Sequence, residues 1–270
     1  MLQFLESLSH SAGAMALDYR SRLSGLSIQH KSIRDVVSEA DIAIEKHLCA
    51  RILEKFPHHA IYGEESGKTG SGHERWIIDP IDGTGSFVRG QPYFSISIAY
   101  EKNGVVQAGA VFAPVLGELF MAEKGKGATC NGRPIKVSQQ GILNQSIFAT
   151  GFACLRAGAR HNNMPYLQAV LPQLCDMRRL GSAALDLAFV ASGRLDGFWE
   201  LYLNLYDVAA GLLLVEEAGG KSTEFNGDAI VSCKEILSTN GILHDQMVSL
   251  MTATKNSVGL PLDLHGTDLI

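Results

Sequence analysis

Apolar residues return at helical spacing in two stretches near the start of the chain. Leu2, Leu5, Leu8, Ala12 and Met15 form the first set and predict a helix ending near Gly25. Ala40, Ile42, Ile44, Leu48 and Ile52 form the second, which Pro57 stops because proline lacks the N–H a helix needs. Ser38 stands where an N-cap belongs, with Asp41 three residues on as its acidic partner. Strand patterns follow. Ala60-Ile61-Tyr62 reads as a strand end, and Trp76–Ile78, Phe94–Tyr100, Val105–Phe112 and Glu118–Ala122 read as a meander, with Asn103-Gly104 as a hairpin turn. Gly125–Gly132 reads as a loop and Pro134–Val137 as a short extended piece. From Ser146 onward helices alternate with strands. Ser182–Ala191 is helical and closed by Gly193, Arg194–Trp199 is extended, and Val208–Ala218 is helical up to Gly219-Gly220. The alternation predicts an α/β (α+β) fold with at least two sheets and helices between or outside them.

The chain has 270 residues, enough for one large domain or two intimate lobes. No Pro/Gly-rich linker divides it, so residues 1–270 are expected to form a single unit with approximate lobes 1–140 and 141–270. A formal net charge of −5 argues against nucleic acid or an anionic membrane as partner. Five cysteines, an odd number with no CxxC pair, fit free thiols in a reducing compartment rather than a disulfide framework or a zinc knuckle. Glu6, Ser9 and His10 interrupt any signal-type apolar stretch, and no transmembrane run is present. The expected location is cytoplasmic.

The segment Trp76-Ile77-Ile78-Asp79-Pro80-Ile81-Asp82-Gly83-Thr84 carries the most chemistry. Side chains alternate along a strand, so two acids three positions apart diverge unless the chain bends. Pro80 supplies a bend that lets Asp79 and Asp82 converge while the carbonyl of Ile81 turns inward. Such a set of hard oxygens suits magnesium. Gly83 permits close backbone approach, and a helical turn from Thr84 through Phe87 would offer N–H groups to an anion. The same letters also describe a plain Asp-Gly turn with Asp82 as a solvated loop acid. Two other segments bear on that choice. Glu64 and Glu65 lie in a glycine-bounded loop, Gly63–Gly67, where surface charge is the bland reading. Asp207 opens an apolar small-residue helix, where an N-cap is the bland reading.

Taken together, Gly63–Ser66, Asp79–Thr84 and Tyr206–Gly211 resemble the three signature segments of the inositol monophosphatase family. Lys31 with Asp35 to Asp41, Gly125-Lys126-Gly127-Ala128, Gly181-Ser182-Ala183-Ala184 and Asp196 to Glu200 resemble further family segments. The resemblance covers nearly the whole chain. It implies a layered αβαβα sandwich of the inositol monophosphatase and fructose-1,6-bisphosphatase type. It also implies a metal set of Glu64, Asp79, Asp82 and Asp207 with the Ile81 carbonyl, holding two or three Mg2+ ions. Four such acids do not stay charged together without cations. The implied reaction is attack by water without a phosphoenzyme. Thr84 would hold the water, with Asp41 and Glu64 orienting the relay and accepting the proton. Gly83, Thr84, Ser182, Ala183, Glu200 and Asp207 would contact substrate. A homodimer and lithium sensitivity are implied as well.

Three positions depart from the commonest family pattern: Tyr206 stands in place of a tryptophan, Asn204 of a histidine and Ser86 of an asparagine. All leave the metal ligands intact and bear on substrate choice. Glu200 resembles the family residue that hydrogen-bonds substrate hydroxyls, and that resemblance implies a polyol phosphate such as myo-inositol monophosphate. Histidinol phosphate, fructose 1,6-bisphosphate and 3′-phosphoadenosine nucleotides are alternatives within the same chemistry. A regulatory binding protein of the transcription or ribosome machinery, with a vestigial active site, is the alternative of another class. Arg156 and Arg160 read as surface charges or as contacts to a second anion. Cys49 and Cys130 read as structural, since neither has a partner base nearby in sequence.

Overall fold

A computed structural model describes residues 1–23, 27–32 and 35–257; the side chains of residues 28–37 lie outside the described residues, as do residues 258–270. Gly25 and the side chains of Lys31 and Asp35 therefore lie outside them. The chain opens with helix α1 (Leu2–Ser21), an antiparallel pair β1 (Ile28–Ser32) and β2 (Asp35–Ser38), and α2 (Glu39–Lys55). It continues through β3 (Ala60–Gly63), β4 (Gly67–Thr69), β5 (Glu74–Asp82), the short α3 (Thr84–Val88), β6 (Ser95–Lys102) and β7 (Val105–Ala113). Next come β8 (Glu118–Glu123), β9 (Ala128–Cys130), β10 (Arg133–Ile135), β11 (Ile147–Thr150), α4 (Ala153–Arg156) and α5 (Met164–Val170). Then follow β12 (Asp176–Arg178), α6 (Ala183–Ala191), β13 (Gly197–Leu201), α7 (Leu205–Glu217), β14 (Lys221–Thr223), β15 (Glu235–Thr239) and α8 (His244–Ser257).

An eight-stranded sheet has the order β10-β9-β8-β7-β6-β5-β3-β4, antiparallel except for the parallel pair β3 and β5. A five-stranded sheet has the order β12-β11-β13-β15-β14, with β11 parallel to both of its neighbours. Helices α1 and α2 cover one face of the larger sheet, α6 and α7 fill the space between the sheets, and α5 and α8 cover the far face of the smaller one. The result is the expected five-layer αβαβα stack. Alternation along the central strands decides which core each residue joins. Trp76, Ile78 and Ile98 point to α1 and α2, whereas Ile77, Ala99 and Val111 point to α6 and α7.

The run Phe94–Tyr100 carries Ser95 and Ser97 among its apolar residues and is buried on both faces. Its cover comes from the chain's own helices, so that run gives no reason to expect a second copy. Gly13 lets α1 settle on β7, because a Cβ there would collide with the Phe112 ring. The predicted helix starting at Ser38 forms with its capping box, Ser38 and Asp41 bonding reciprocally.

Several expectations shift. The loop predicted over 125–132 contains β9, joined to β10 through Asn131 (φ 49°) and Gly132 (φ 73°). That is the same two-residue turn chemistry that Asn103 (φ 53°) and Gly104 (φ 78°) supply between β6 and β7. The extended stretch begins at Gly197, not Arg194, because Arg194 and Leu195 turn back to donate to the Phe189 carbonyl. Helix α7 starts at Leu205 with Asn204 as its cap, so Asp207 lies inside the first turn and does not open the helix.

Candidate active site

Strand β5 runs past Ile78 to Asp82 and changes register there. Asp79 sits opposite Ser97 and Asp82 opposite Ser95, so three steps on β5 match two on β6. This bulge around Pro80 and Ile81 is the physical form of the expected bend. It turns two acids of odd spacing to one side, and the Ile81 N–H donates to Asp79 Oδ1 at 3.1 Å. Asp207 arrives from the first turn of α7, where its Oδ2 accepts from the Asn204 N–H at 2.6 Å. Carboxylate oxygens of Asp79, Asp82 and Asp207 all lie within 4.8 Å of one another. Three acids from two distant segments thus form one group able to hold a metal ion.

Asp82 is aimed by the start of α6. Its Oδ2 accepts from the Ser182 hydroxyl and the Ala184 N–H, each at 2.7 Å. Ser182 is also the N-cap of α6, accepting from Leu185 N–H at 3.3 Å. Glu64 lines the same cavity as the three acids without joining their closest group. Its loop is held by Glu45, a residue 3% exposed on α2 that accepts the N–H groups of Glu65 (2.9 Å) and Ser66 (2.7 Å). Glu45 escaped the sequence reading. One signal was there: it follows Asp41 by one helical turn on the buried face of α2, where acids are rare. Glu45→Ala is expected to lower stability by about 1–3 kcal/mol and to loosen the Glu64 loop. Denaturant midpoints and hydrogen exchange at Glu65 and Ser66 check this; unchanged exchange would show that the loop holds itself.

The Thr84 Oγ1 lies 3.1 Å from Asp41 Oδ1 and 3.1 Å from the Ile81 carbonyl oxygen. One hydroxyl proton serves only one of these acceptors at a time. Asp41 is fully buried, and its other oxygen takes the Ser38 N–H at 2.9 Å and hydroxyl at 2.5 Å. The capping box of α2 therefore doubles as the support of Thr84. Gly83 precedes α3 with φ +93°, and a Cβ there would press on the carbonyl oxygens of Gly181 (3.0 Å) and Tyr93 (3.1 Å). Only glycine adopts this conformation in so tight a space.

Burial is the main cause of unusual acidity throughout the site. It raises Asp79 and Asp207 well above the ordinary carboxylate range, with their acidic neighbours adding to it. Burial also lifts Asp82, but the hydrogen bonds from Ser182 and Ala184 restrain it to about 6. Glu200 on β13 is pushed up to about 7 by burial. It is 5% exposed and takes the Ala153 N–H at 2.9 Å, so it is no solvated strand-end acid. Glu200 and Ala183 line a recess opening off the main cavity. Arg156 is exposed and lines both spaces, so a surface charge there also reaches the site, whereas Arg160 lines neither. Arg179 and Asp186 also line the recess; neither stood out in the sequence, where both sit among ordinary helix and strand letters. Ser86 donates to the Leu180 carbonyl at 3.3 Å, and Tyr206 packs edge-on against Tyr62. All five cysteines are free thiols, and burial pushes Cys49 up to about 11 and raises Cys130, as expected of structural cysteines.

A family model described as the inositol monophosphatase family matches residues 1–256. The chain is 40% identical over 219 residues to the Nus factor SuhB of Xylella fastidiosa, covering 81% of this chain and 80% of that protein. It is 40% identical over 216 residues to the inositol-1-monophosphatase of Rhizobium meliloti, covering 79% and 81%. Among solved structures, the extragenic suppressor protein suhB from Bartonella henselae superposes with a TM-score of 0.87 at 34% identity, over 93% of this chain and 97% of that one. The layers that bring the three acids together therefore have solved counterparts, and the chain belongs to the inositol monophosphatase family.

Proposed function

We propose that this chain is a magnesium-dependent phosphomonoesterase acting on myo-inositol monophosphate or a related small polyol phosphate. The observation that carries the reading is the convergence of Asp79, Asp82 and Asp207 within 4.8 Å, beside a threonine hydroxyl held by a buried acid. An all-oxygen donor set that holds protons this tightly fits a hard divalent cation, and carboxylates completed by substrate phosphate suit Mg2+. Asp79, Asp82, Asp207, Glu64 and the Ile81 carbonyl would hold two or three ions. When bound, the ions neutralise phosphate charge and make water a competent nucleophile at neutral pH.

The chain's own groups do the rest. With the Ile81 carbonyl engaged elsewhere, the Thr84 proton is directed to Asp41, leaving a hydroxyl lone pair to orient water. Asp41, raised by burial, is suited to hold a proton passed through Thr84, with Glu64 assisting. The N–H groups of Gly83 and Thr84 would steady the phosphate. Ser182 keeps Asp82 in place, while Ala183 and Glu200 meet the leaving alcohol. Lithium sensitivity, homodimer formation and a cytoplasmic site of action belong to the same proposal. So does a single unit over 1–270, supported by a middle core of α6 and α7 that packs on both sheets, whose other faces carry the two outer cores. Among the described residues no helix is long and apolar enough to cross a membrane.

Purified protein is expected to release phosphate from inositol 1-phosphate with Mg2+ and to stop in excess chelator. Full activity under chelation would overturn the metal reading. A parallel screen of histidinol phosphate, fructose 1,6-bisphosphate and adenosine bisphosphate ranks the alternatives. A relative named a Nus factor favours a second reading, a binding role in the transcription machinery. Such a role would survive Asp79→Asn in a binding assay with RNA polymerase, whereas phosphate release would not.

A further inference from the structure

Asp186 is a buried acid that the proposed water chemistry does not use. It stands in the first turn of α6 with 2% of its surface exposed, and its Oδ1 has no hydrogen-bond partner among the described residues. A carboxylate oxygen buried without a partner opposes folding. Favouring the positive end of α6 does not account for it, since an exposed acid does that equally well. Its surroundings do account for it. Asp186 lines the recess off the main cavity together with Glu200, Ala183 and the guanidinium residues Arg156 and Arg179.

The recess shares Asp82, Asp207, Arg156, Arg179 and Gly181 with the carboxylate cavity. A phosphate ester seated at the three acids can therefore extend its alcohol part into the recess toward Asp186. Carboxyl oxygens accept from a hydroxyl, and a guanidinium donates to the hydroxyl oxygen. Neighbouring hydroxyls on one carbon frame offer both partners at once. An alkyl chain offers neither and would leave the buried oxygens of the recess unpaired.

We propose that Asp186 accepts a hydroxyl of the leaving alcohol beside Glu200, and so selects polyol phosphates over esters whose alcohol carries no further hydroxyl. The assignment rests on the phosphatase reading above. It makes Asp186 a substrate-contacting specificity residue, with Arg179 as its facing cation.

The test is steady-state kinetics of the full chain with Mg2+ on inositol 1-phosphate, 2-glycerophosphate and ethyl phosphate. Asp186→Ala is expected to lower kcat/KM for inositol 1-phosphate about 10- to 100-fold, chiefly through KM. Loss on ethyl phosphate is expected to be smaller, so the ratio of the two shifts by at least about 10-fold. Asp186→Asn keeps an acceptor oxygen and should recover part of the polyol preference. Both variants should melt at or above the wild-type temperature, because each removes a buried acid that burial and its acidic neighbours Glu200 and Asp82 disfavour. Equal losses on all three esters together with a lower melting temperature would assign Asp186 a structural role and overturn the proposal. A larger loss on phosphoethanolamine than on the polyol esters would overturn it too, in favour of an ammonium site. If the wild-type chain releases phosphate from no ester, the phosphatase reading itself fails and this assignment falls with it.

Discussion

Asp79→Asn is expected to abolish phosphate release while making the metal-free protein more stable. Asp79 is 1% exposed, and burial with Glu64, Asp82 and Asp207 around it raises its pKa well above the ordinary value. Asparagine keeps the size and the oxygen that accepts the Ile81 N–H, but it removes the charge a divalent cation needs. Loss of one charged ligand at a cation site should lower kcat by about 10³-fold or more. The stability change has the opposite sign. A carboxyl whose folded pKa is raised contributes stability that is complete below its unfolded value and disappears as pH rises through the folded value. Here the window opens near the unfolded value of 3.8 and extends through about 6 for Asp82, and higher for Asp79 and Asp207. Metal-free wild type should therefore lose stability across that range, and Asp79→Asn should lose less.

Cation binding acts on the same balance. It requires the ionised acids, so the rise in melting temperature produced by Mg2+ should be larger at pH 8 than at pH 5.5, two conditions set about either side of the Asp82 value. Calorimetry with and without Mg2+ at both pH values measures this directly. A metal-free Asp79→Asn protein that melts below wild type, or one that retains phosphatase activity, would contradict the assignment of the cluster.

Thr84→Val should reduce turnover by about 10²- to 10³-fold while leaving cation affinity nearly unchanged. Valine reproduces the branched shape of threonine and deletes only the hydroxyl, whose oxygen is 3.1 Å from Asp41 and 3.1 Å from the Ile81 carbonyl. The loss should fall on kcat rather than KM, since the group acts on water and not on the resting ester. Thr84→Ser keeps the hydroxyl and should restore much of the rate. Single-turnover kinetics on inositol 1-phosphate, paired with Mg2+ titration by calorimetry, separates the effects. A valine variant with wild-type kcat would leave Asp41 and Thr84 as a structural pair only.

How much of this was readable without coordinates differs from residue to residue. Ser38 and Asp41 formed the predicted capping box because that motif depends on four consecutive residues and nothing else. Asn103-Gly104 made its turn for the same local reason. Asn131-Gly132 carried an equal signal, but the surrounding glycines masked the short strand β9. The acids at 79 and 82 were legible as a pair, although the bend proved to be a bulge held open by pairing with β6. That detail depends on a neighbouring strand and has no local signature. Asp207 was read as the opening of the helix, three residues after the actual cap, Asn204.

By itself the sequence determined the helix faces, the Ser38 capping box, the Asn103-Gly104 turn and, through motif spacing, the family. These follow from interactions among residues a few positions apart, where geometry is fixed by backbone period and side-chain type. Only the tertiary structure decided which distant groups meet: Ser182 and Ala184 on Asp82, Glu45 under the Glu64 loop, and Asp186 with Glu200 in one recess. Those encounters depend on how two sheets and their shared helices pack. No local periodicity encodes where an acid on α6 will face an acid on β13, and there the packing alone places the charge.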